Sequence, residues 1–143
     1  MTGTIRKLLS PNDTGETGGH QAGILIPKDR RILDFFPDLD ASQLNPRVHL
    51  PFVDDHGRRW EFAFIYYNNR FFGGTRNEYR LTRMTQYMRE HGIKAGDELV
   101  FFKDGDAVRR ISYQRAREIA LDDRGVLQLG RGWKVIDFAK RSR

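Results

Sequence analysis

The sequence of 143 residues suits one domain with a single core, and we treat residues 1–143 as that domain. It has no cysteine, which excludes disulfides, thiol catalysis and cysteine-based zinc sites. It also has no apolar run near the roughly 18 residues of a membrane span and no signal-peptide segment. We therefore expect a cytoplasmic protein that does not contact a membrane. Lys and Arg number 25 against 19 Asp and Glu, and the net charge of +6 is compatible with a polyanionic partner.

Short segments with the apolar runs or alternation typical of β-strands recur along the chain. They are residues 4–9, 22–26, 47–53, 58–67, 98–103, 107–113, 126–129 and 133–138. Two other segments, 28–36 and 82–91, have apolar residues three and four apart and predict short helices, followed by Pro37 and Gly92. Many short strands with two small helices indicate a closed or nearly closed β structure.

Two polar segments interrupt this pattern. The first, Ser10–Gln21, contains three glycines among Pro, Asn and Asp residues, which predicts a loop without a regular element. The second begins after an aromatic strand and turns at Gly73 and Gly74. We call residues Asp13–Gln21 the N-arm and residues Gly74–Arg80 the C-arm.

The C-arm lies in the most basic part of the sequence. Residues 68–94 carry six basic side chains against two carboxylates, a local charge of +4; they are Arg70, Arg76, Arg80, Arg83, Arg89 and Lys94 against Glu78 and Glu90. A basic stripe is the expected footprint of a nucleic acid. Arg70, Arg83 and Lys94 are candidate phosphate contacts, with a solvated surface as the alternative for each.

The arms contain side chains whose hydrogen-bonding groups match base edges in the major groove, which is about 12 Å wide. Arg76 and Arg80 are candidates to bind guanine, and the side-chain amides of Asn77 and Gln21 are candidates to bind adenine. The carboxylates of Glu78 and Asp13 are candidates to accept a hydrogen bond from cytosine. In the N-arm, glycine amides would approach phosphates while His20 and Gln21 face bases. Two alternatives stay open: Glu78 holds Arg76 or Arg80 from within the protein, and Tyr79 packs beneath the arm.

Motifs for catalysis are missing from the sequence. Pro37-Asp38 and Glu61 match part of a nuclease pattern, but the position where that pattern needs lysine is Ala63. The four histidines have no metal-ligand spacing, and neither a phosphate-binding loop nor a serine nucleophile motif occurs. We therefore expect no enzyme activity, no metal and no cofactor.

Both arms lie within motifs that resemble a known family. The motifs are residues 10–23 (SPNDTGETGGHQAG), 66–73 (YYNNRFFG), 75–83 (TRNEYRLTR) and 92–101 (GIKAGDELVF). They resemble the N-terminal effector domain of EcoRII-type restriction endonucleases, which belongs to the B-three-like DNA-binding pseudobarrels of plants. The resemblance covers most of residues 5–115.

The resemblance implies a mainly β fold, a seven-stranded open β-barrel with two short helices. It also implies that an N-arm and a C-arm enter the major groove of double-stranded DNA from opposite sides, toward a CC(A/T)GG-type site. The residues that inherit contacts are Asp13, Thr14, Gly15, Glu16, Thr17, Gly18, Gly19, His20 and Gln21 in the first arm, and Thr75, Arg76, Asn77, Glu78, Tyr79 and Arg80 in the second.

Four hypotheses follow. The first is sequence-specific DNA recognition for a type II restriction endonuclease, with the nuclease domain in the same or a partner chain. The second is a stand-alone B-three-like regulator with no nuclease partner. The third is a small hydrolase, and the fourth is a single-strand binder that stacks bases on Phe71, Phe72 and Tyr79.

Overall fold

The computed structural model describes residues 3–16, 22–116, 126–128 and 132–136. Its strands are β1 (Thr4–Leu8), β2 (Ile24–Ile26), β3 (Arg47–Val53), β4 (Arg59–Tyr67), β5 (Glu78–Thr82), β6 (Glu98–Lys103), β7 (Arg109–Gln114), β8 (Val126–Gln128) and β9 (Trp133–Ile136). Its helices are α1 (Pro11–Thr14), α2 (Arg30–Leu33) and α3 (Thr85–Glu90), with a 3-10 helix at Asn69–Phe72. No helix among these residues is long and apolar enough to cross a membrane.

The nine described strands form one sheet in the order β2-β5-β4-β3-β7-β6-β1-β9-β8. Neighbours are antiparallel except β3 and β7, which pair in parallel at Val53 and Arg110. The indole nitrogen of Trp133 in β9 donates to the carbonyl of Leu25 in β2 at 3.3 Å, so a hydrogen bond links the first strand of the sheet order to the last but one. The predicted mainly β, open-barrel fold is confirmed.

The core lies inside this curled sheet and is rich in aromatic side chains. Phe52, Phe62, Phe64 and Phe101 are at most 1% exposed, and Phe36 of the α2 region stacks on Phe64 with ring centroids 4.7 Å apart. On β3 the alternation works as predicted, because Leu50 and Phe52 are buried while their neighbours are more exposed.

Three predictions about the elements were wrong. The resemblance implies seven strands, but the described residues form nine, because the β8–β9 hairpin lies beyond the resemblance. Glu78–Thr82 forms β5, although the sequence analysis placed its first residues in the C-arm loop. The first polar segment contains a helical turn, α1. Ser10 and Asp13 cap it reciprocally, Pro11 starts it, and Gly15 ends it in the left-handed conformation with φ 78°.

Candidate nucleic-acid interface

A basic groove crosses the outer face of β3, β4 and β5. Its volume is about 600 Å³, and its lining consists of Asn12, Gly23, Arg47, Ile65, Tyr67, Arg76, Arg80, Thr82 and Arg83. Ile65 on β4 pairs with Arg47 on one side and with Arg80 on the other, so both guanidinium groups project from the same row of the sheet. None of the described residues that line this groove is acidic, so we call it the arginine groove.

Glu78 holds two of these arginines. Its Oε2 atom accepts hydrogen bonds from Nη2 of Arg76 at 3.0 Å and from Nε of Arg80. Partial burial raises the pKa of Glu78, but the hydrogen bonds from Arg80 and Arg76 outweigh it, and the net pKa is lowered. The structure therefore shows the contacts of the alternative in which Glu78 holds Arg76 and Arg80 from within the protein. The three charges form one cluster with an excess of one positive charge.

Arg76 has a second contact that the sequence did not reveal. Its guanidinium carbon lies 3.7 Å from the centroid of the Tyr67 ring. Stacking on an aromatic face together with an ion pair restricts a long side chain to few conformations. Arg76 is therefore preorganised while its side chain is still 43% exposed.

The loop between β4 and β5, residues 68–77, is closed by its own hydrogen bonds. The amide of Arg70 donates to the carbonyl of Arg76 at 2.9 Å, and Oδ1 of Asn69 accepts from the amide of Arg76 at 2.6 Å. A Cβ atom on Gly74 would lie 2.6 Å from the Asn69 side chain, so this closure requires glycine. Thr75 and Arg70 lie exposed on this loop.

Tyr66 contacts both Tyr79 and Asn77. The Tyr79 ring stacks on the Tyr66 ring with centroids 4.2 Å apart and planes within 8°. The Tyr66 hydroxyl donates to Oδ1 of Asn77 at 2.7 Å. The packing alternative for Tyr79 is therefore confirmed, and the amide nitrogen of Asn77 is the group left to meet a partner.

The N-arm is described only in part, since Thr17, Gly18, Gly19, His20 and Gln21 lie outside the described residues. Asp13 is buried, and its Oδ2 atom accepts from the amide of Ser10 at 2.9 Å and contacts Nζ of Lys7 at 3.1 Å. Its carboxylate thus holds the base of the arm.

Glu16 connects the N-arm to a second part of the chain. Its Oε2 atom accepts from the hydroxyl of Thr14 at 2.8 Å and from the amide of Ala95 at 3.2 Å. Ala95 follows Lys94, whose side chain is exposed. The fold therefore brings Lys94 beside the N-arm although it lies 78 positions after Glu16 in the sequence.

The residues that follow the N-arm, Ala22 and Gly23, lie against the end of β5. The amide of Ala22 donates to the hydroxyl of Thr85 at 2.9 Å, and the carbonyl of Ala22 accepts from the amide of Met84 at 3.2 Å. A Cβ atom on Gly23 would lie 2.9 Å from the carbonyl oxygen of Leu81, so only glycine allows this approach. Arg83 lies at this junction, exposed and with φ 65°.

The structure thus places Arg76, Arg80 and Arg83 in one groove, Lys94 beside the N-arm, and Arg70 and Thr75 on the β4–β5 loop. It adds Arg47 and Tyr67, which the sequence analysis had not selected. The alternation of β3 did predict Arg47 on the polar side of its strand. The sequence alone could not predict that Ile65 pairs with both Arg47 and Arg80, because strand order depends on contacts between distant segments.

Comparisons with known proteins identify the family and the fold class of the chain. The family described as "Restriction endonuclease EcoRII, N-terminal" matches residues 2–92. The type II restriction enzyme EcoRII of Escherichia coli is 47% identical over 83 residues, which is 56% of this chain and 20% of that enzyme. Auxin response factor 3 of Oryza sativa subsp. japonica is 30% identical over 113 residues, 79% of this chain and 14% of that protein. The chain therefore spans a fifth or less of these relatives.

Among solved structures, the Arabidopsis FUS3-DNA complex superposes with a TM-score of 0.61 at 19% sequence identity. The match covers 78% of this chain and 95% of that chain. This likeness confirms the predicted B-three-like fold class. Because the family match extends over more than half of the sequence, the chain belongs to the family of EcoRII N-terminal domains.

Proposed function

We propose that this domain binds double-stranded DNA at a specific sequence and has no catalytic role of its own. The observation that carries the proposal is the arginine groove, which Arg47, Arg76, Arg80 and Arg83 line together with Asn12 and Gly23 on either side of the N-arm sequence. Four guanidinium groups in one groove favour a polyanion, and planar guanidinium forks suit both phosphates and guanine edges. The FUS3 complex, of similar fold, contains DNA.

The Arg76–Glu78–Arg80 cluster is the proposed base-reading element. In the bound state the arginines turn their free N–H groups to guanine, while Glu78 accepts from the N4 amino group of cytosine. A wrong base would leave the Glu78 carboxylate desolvated and without its donor, which gives discrimination as well as affinity. Asn77 offers its amide nitrogen for adenine. The N-arm, through His20 and Gln21, reads the opposite part of the major groove.

The remaining basic residues set register and affinity. Arg47, Arg70, Arg83 and Lys94 are proposed phosphate contacts, which act in a sequence-independent way. Asp13, whose carboxylate is occupied by Ser10 and Lys7, positions the N-arm rather than reading cytosine.

The target and the larger assembly are proposed from the family alone. A CC(A/T)GG-type site is the first duplex to test, and a nuclease domain in the same or a partner chain would cut the DNA. We place the protein in the cytoplasm of a prokaryotic cell, where such an enzyme meets DNA.

Selection from a random duplex pool, read by sequencing, tests the proposal. One enriched motif is expected, with binding in the nanomolar range that weakens steeply with salt. Equal competition by poly-dT and duplex would instead favour the single-strand hypothesis, against which the stacking of Tyr79 on Tyr66 already argues. Specific nicking of plasmid by the pure domain in magnesium would revive the hydrolase hypothesis.

Arg76→Ala is expected to weaken binding by about 1–3 kcal/mol and to relax the choice at one base pair, because a bidentate guanine contact is lost. Titration of duplexes mutated at each position measures both effects. Arg59→Ala is the matched control, since Arg59 is exposed at the opposite end of β4, and it should bind as the parent does. If Arg76→Ala kept the affinity and the sequence preference of the parent, the C-arm assignment would be wrong.

Arg83→Gly is expected to weaken DNA binding without lowering the stability of the fold. The left-handed conformation of Arg83, with φ 65°, costs a side-chain-bearing residue roughly 1–2 kcal/mol, so glycine should leave stability unchanged or raise it by about 1 kcal/mol. The lost phosphate contact should weaken binding to all sequences alike and reduce the slope of log affinity against log salt by about 1.

Ala107→Gly controls for the backbone effect, because Ala107 has φ 61° and carries no charge. It should give a similar change in stability with unchanged DNA affinity. Denaturant unfolding and salt titrations measure the two quantities. An Arg83→Gly variant with the salt slope of the parent would remove Arg83 from the interface.

A stand-alone regulator remains the second candidate. The match to auxin response factor 3 of Oryza sativa extends over 79% of this chain, farther than the 56% matched by EcoRII. Both candidates predict the same DNA contacts. A nuclease domain in the full-length protein, or a methyltransferase gene beside it, would decide for the restriction system.

A further inference from the structure

Two exposed aromatic rings lie at the tip of the β4–β5 loop. Phe71 is 65% exposed and Phe72 is 50% exposed. Within the described part of the chain they are the only exposed Phe, Tyr or Trp side chains, and the other rings of these three types lie buried or half-buried. Exposed phenylalanine rings promote non-specific association, so an adjacent pair at a loop tip suggests an apolar partner.

The rings are mounted on a well-anchored support. Phe71 and Phe72 end the 3-10 helix Asn69–Phe72, which Gly73 terminates in the left-handed conformation with φ 96°. The amide of Phe71 donates to the carbonyl of Asn68 at 3.0 Å, and Asn68 is 0% exposed. Because the backbone under the rings is already ordered, a partner does not have to supply the free energy of ordering it.

The charges around the rings indicate what that partner is. Residues 69–77 contain Arg70 and Arg76 and no acidic residue. Arg76 is already paired with Glu78, but an apolar protein surface would leave the exposed Arg70 without a counter-charge, whereas a duplex offers phosphates to it. On the base edges of the major groove, the apolar feature is the 5-methyl group of thymine.

We propose that Phe71 and Phe72 contact thymine 5-methyl groups in the target duplex and so contribute a preference for thymine at one or two positions. This inference rests on the proposed function, since it requires that the domain bind duplex DNA. It adds an apolar contact to the hydrogen-bonding residues Arg76, Asn77 and Glu78. It assigns a specificity role to the part of the loop that lies outside the arginine groove.

Deoxyuridine substitution tests the inference, because deoxyuridine keeps the pairing of thymine and lacks the methyl group. In the selected duplex each thymine is replaced singly. The parent protein should lose affinity by about three- to fivefold at one or two positions, the value expected for one buried methyl group. The Phe71→Ala/Phe72→Ala variant should bind the thymine duplex more weakly and show no further loss with deoxyuridine.

Val108→Ala is the matched control, since Val108 is 38% exposed in the turn between β6 and β7, and it should retain the deoxyuridine effect of the parent. Both exposed rings can be removed without opening the core, and circular dichroism checks that the variant is folded. A parent insensitive to every deoxyuridine, or a double variant as sensitive as the parent, overturns the inference. So does a dimer of the free protein that disappears in the double variant. Failure to bind any duplex would instead overturn the proposed function.

Discussion

Glu98→Gln is expected to lower the free energy of unfolding by about 3–5 kcal/mol, because it leaves two largely buried cations without their counter-charge. The Glu98 side chain is 0% exposed. Its Oε1 atom lies 3.3 Å from Nη1 of Arg6, and its Oε2 atom lies 2.9 Å from Nζ of Lys134. Glutamine keeps the shape of the side chain, so the change tests charge alone.

The cluster joins three strands that are adjacent in the sheet, β1 with Arg6, β6 with Glu98 and β9 with Lys134. Its loss should therefore loosen the β8–β9 hairpin, which lies beyond the family match at residues 2–92. Chemical denaturation gives the change in stability, and hydrogen exchange in β9 gives its location. DNA affinity measured where the variant is folded should be unchanged, since none of the three residues lines the arginine groove.

Two controls sharpen this prediction. Glu90→Gln breaks the exposed pair between Glu90 and Arg58, whose side chains are 40% and 49% exposed, and should cost about 0–1 kcal/mol. Replacing Arg6, Glu98 and Lys134 together by leucine should destabilise less than Glu98→Gln, because no buried charge is then unpaired. A Glu98→Gln variant no less stable than Glu90→Gln would contradict a stabilising role for the cluster of Arg6, Glu98 and Lys134.

Asn68→Ala is expected to lower stability by about 2–4 kcal/mol, because it removes buried hydrogen bonds at the base of the β4–β5 loop. The Asn68 side chain donates to the carbonyls of Ala41 and Gln43 at 3.2 and 2.7 Å. It also accepts from the amide of Asn45 at 2.7 Å. Removal leaves three backbone groups unpaired, although those in the connector can turn toward water, which limits the cost.

The same substitution should weaken DNA binding by about tenfold, or about 1.4 kcal/mol, because the loop that presents Arg76 loses its anchor. Gln43→Ala is the control, since only the backbone of Gln43 bonds to Asn68 and its side chain is exposed. It should behave as the parent. Asn68→Asp should be at least as harmful as alanine, since a carboxylate would face two carbonyl oxygens. If Asn68→Ala lowered the stability but kept the DNA affinity of the parent, the β4–β5 loop would have no role in DNA binding.

The local pattern of apolar and polar residues predicted many of the strands and helices. Alternation along residues 47–53 and 58–67 predicted β3 and β4, and the spacing of Met84, Tyr87 and Met88 predicted α3. The sequence predicted that the base-reading candidates Glu78, Tyr79 and Arg80 lie in a loop, but they lie on β5. Polar residues alternate with apolar ones there, which is typical of a strand, and the error arose because Tyr79 was grouped with the loop instead of the core.

The sequence by itself determined a small β-rich domain without cysteine, two glycine-containing polar segments and a basic region around Arg76. These properties depend on residues close together in the chain. The tertiary structure alone decided that Arg47 joins Arg80 in one groove, that Asn68 anchors the loop, and that Arg6 meets Glu98 across 92 positions. Such contacts depend on strand order and closure of the sheet, which arise from the packing of distant segments and leave no local periodic signal.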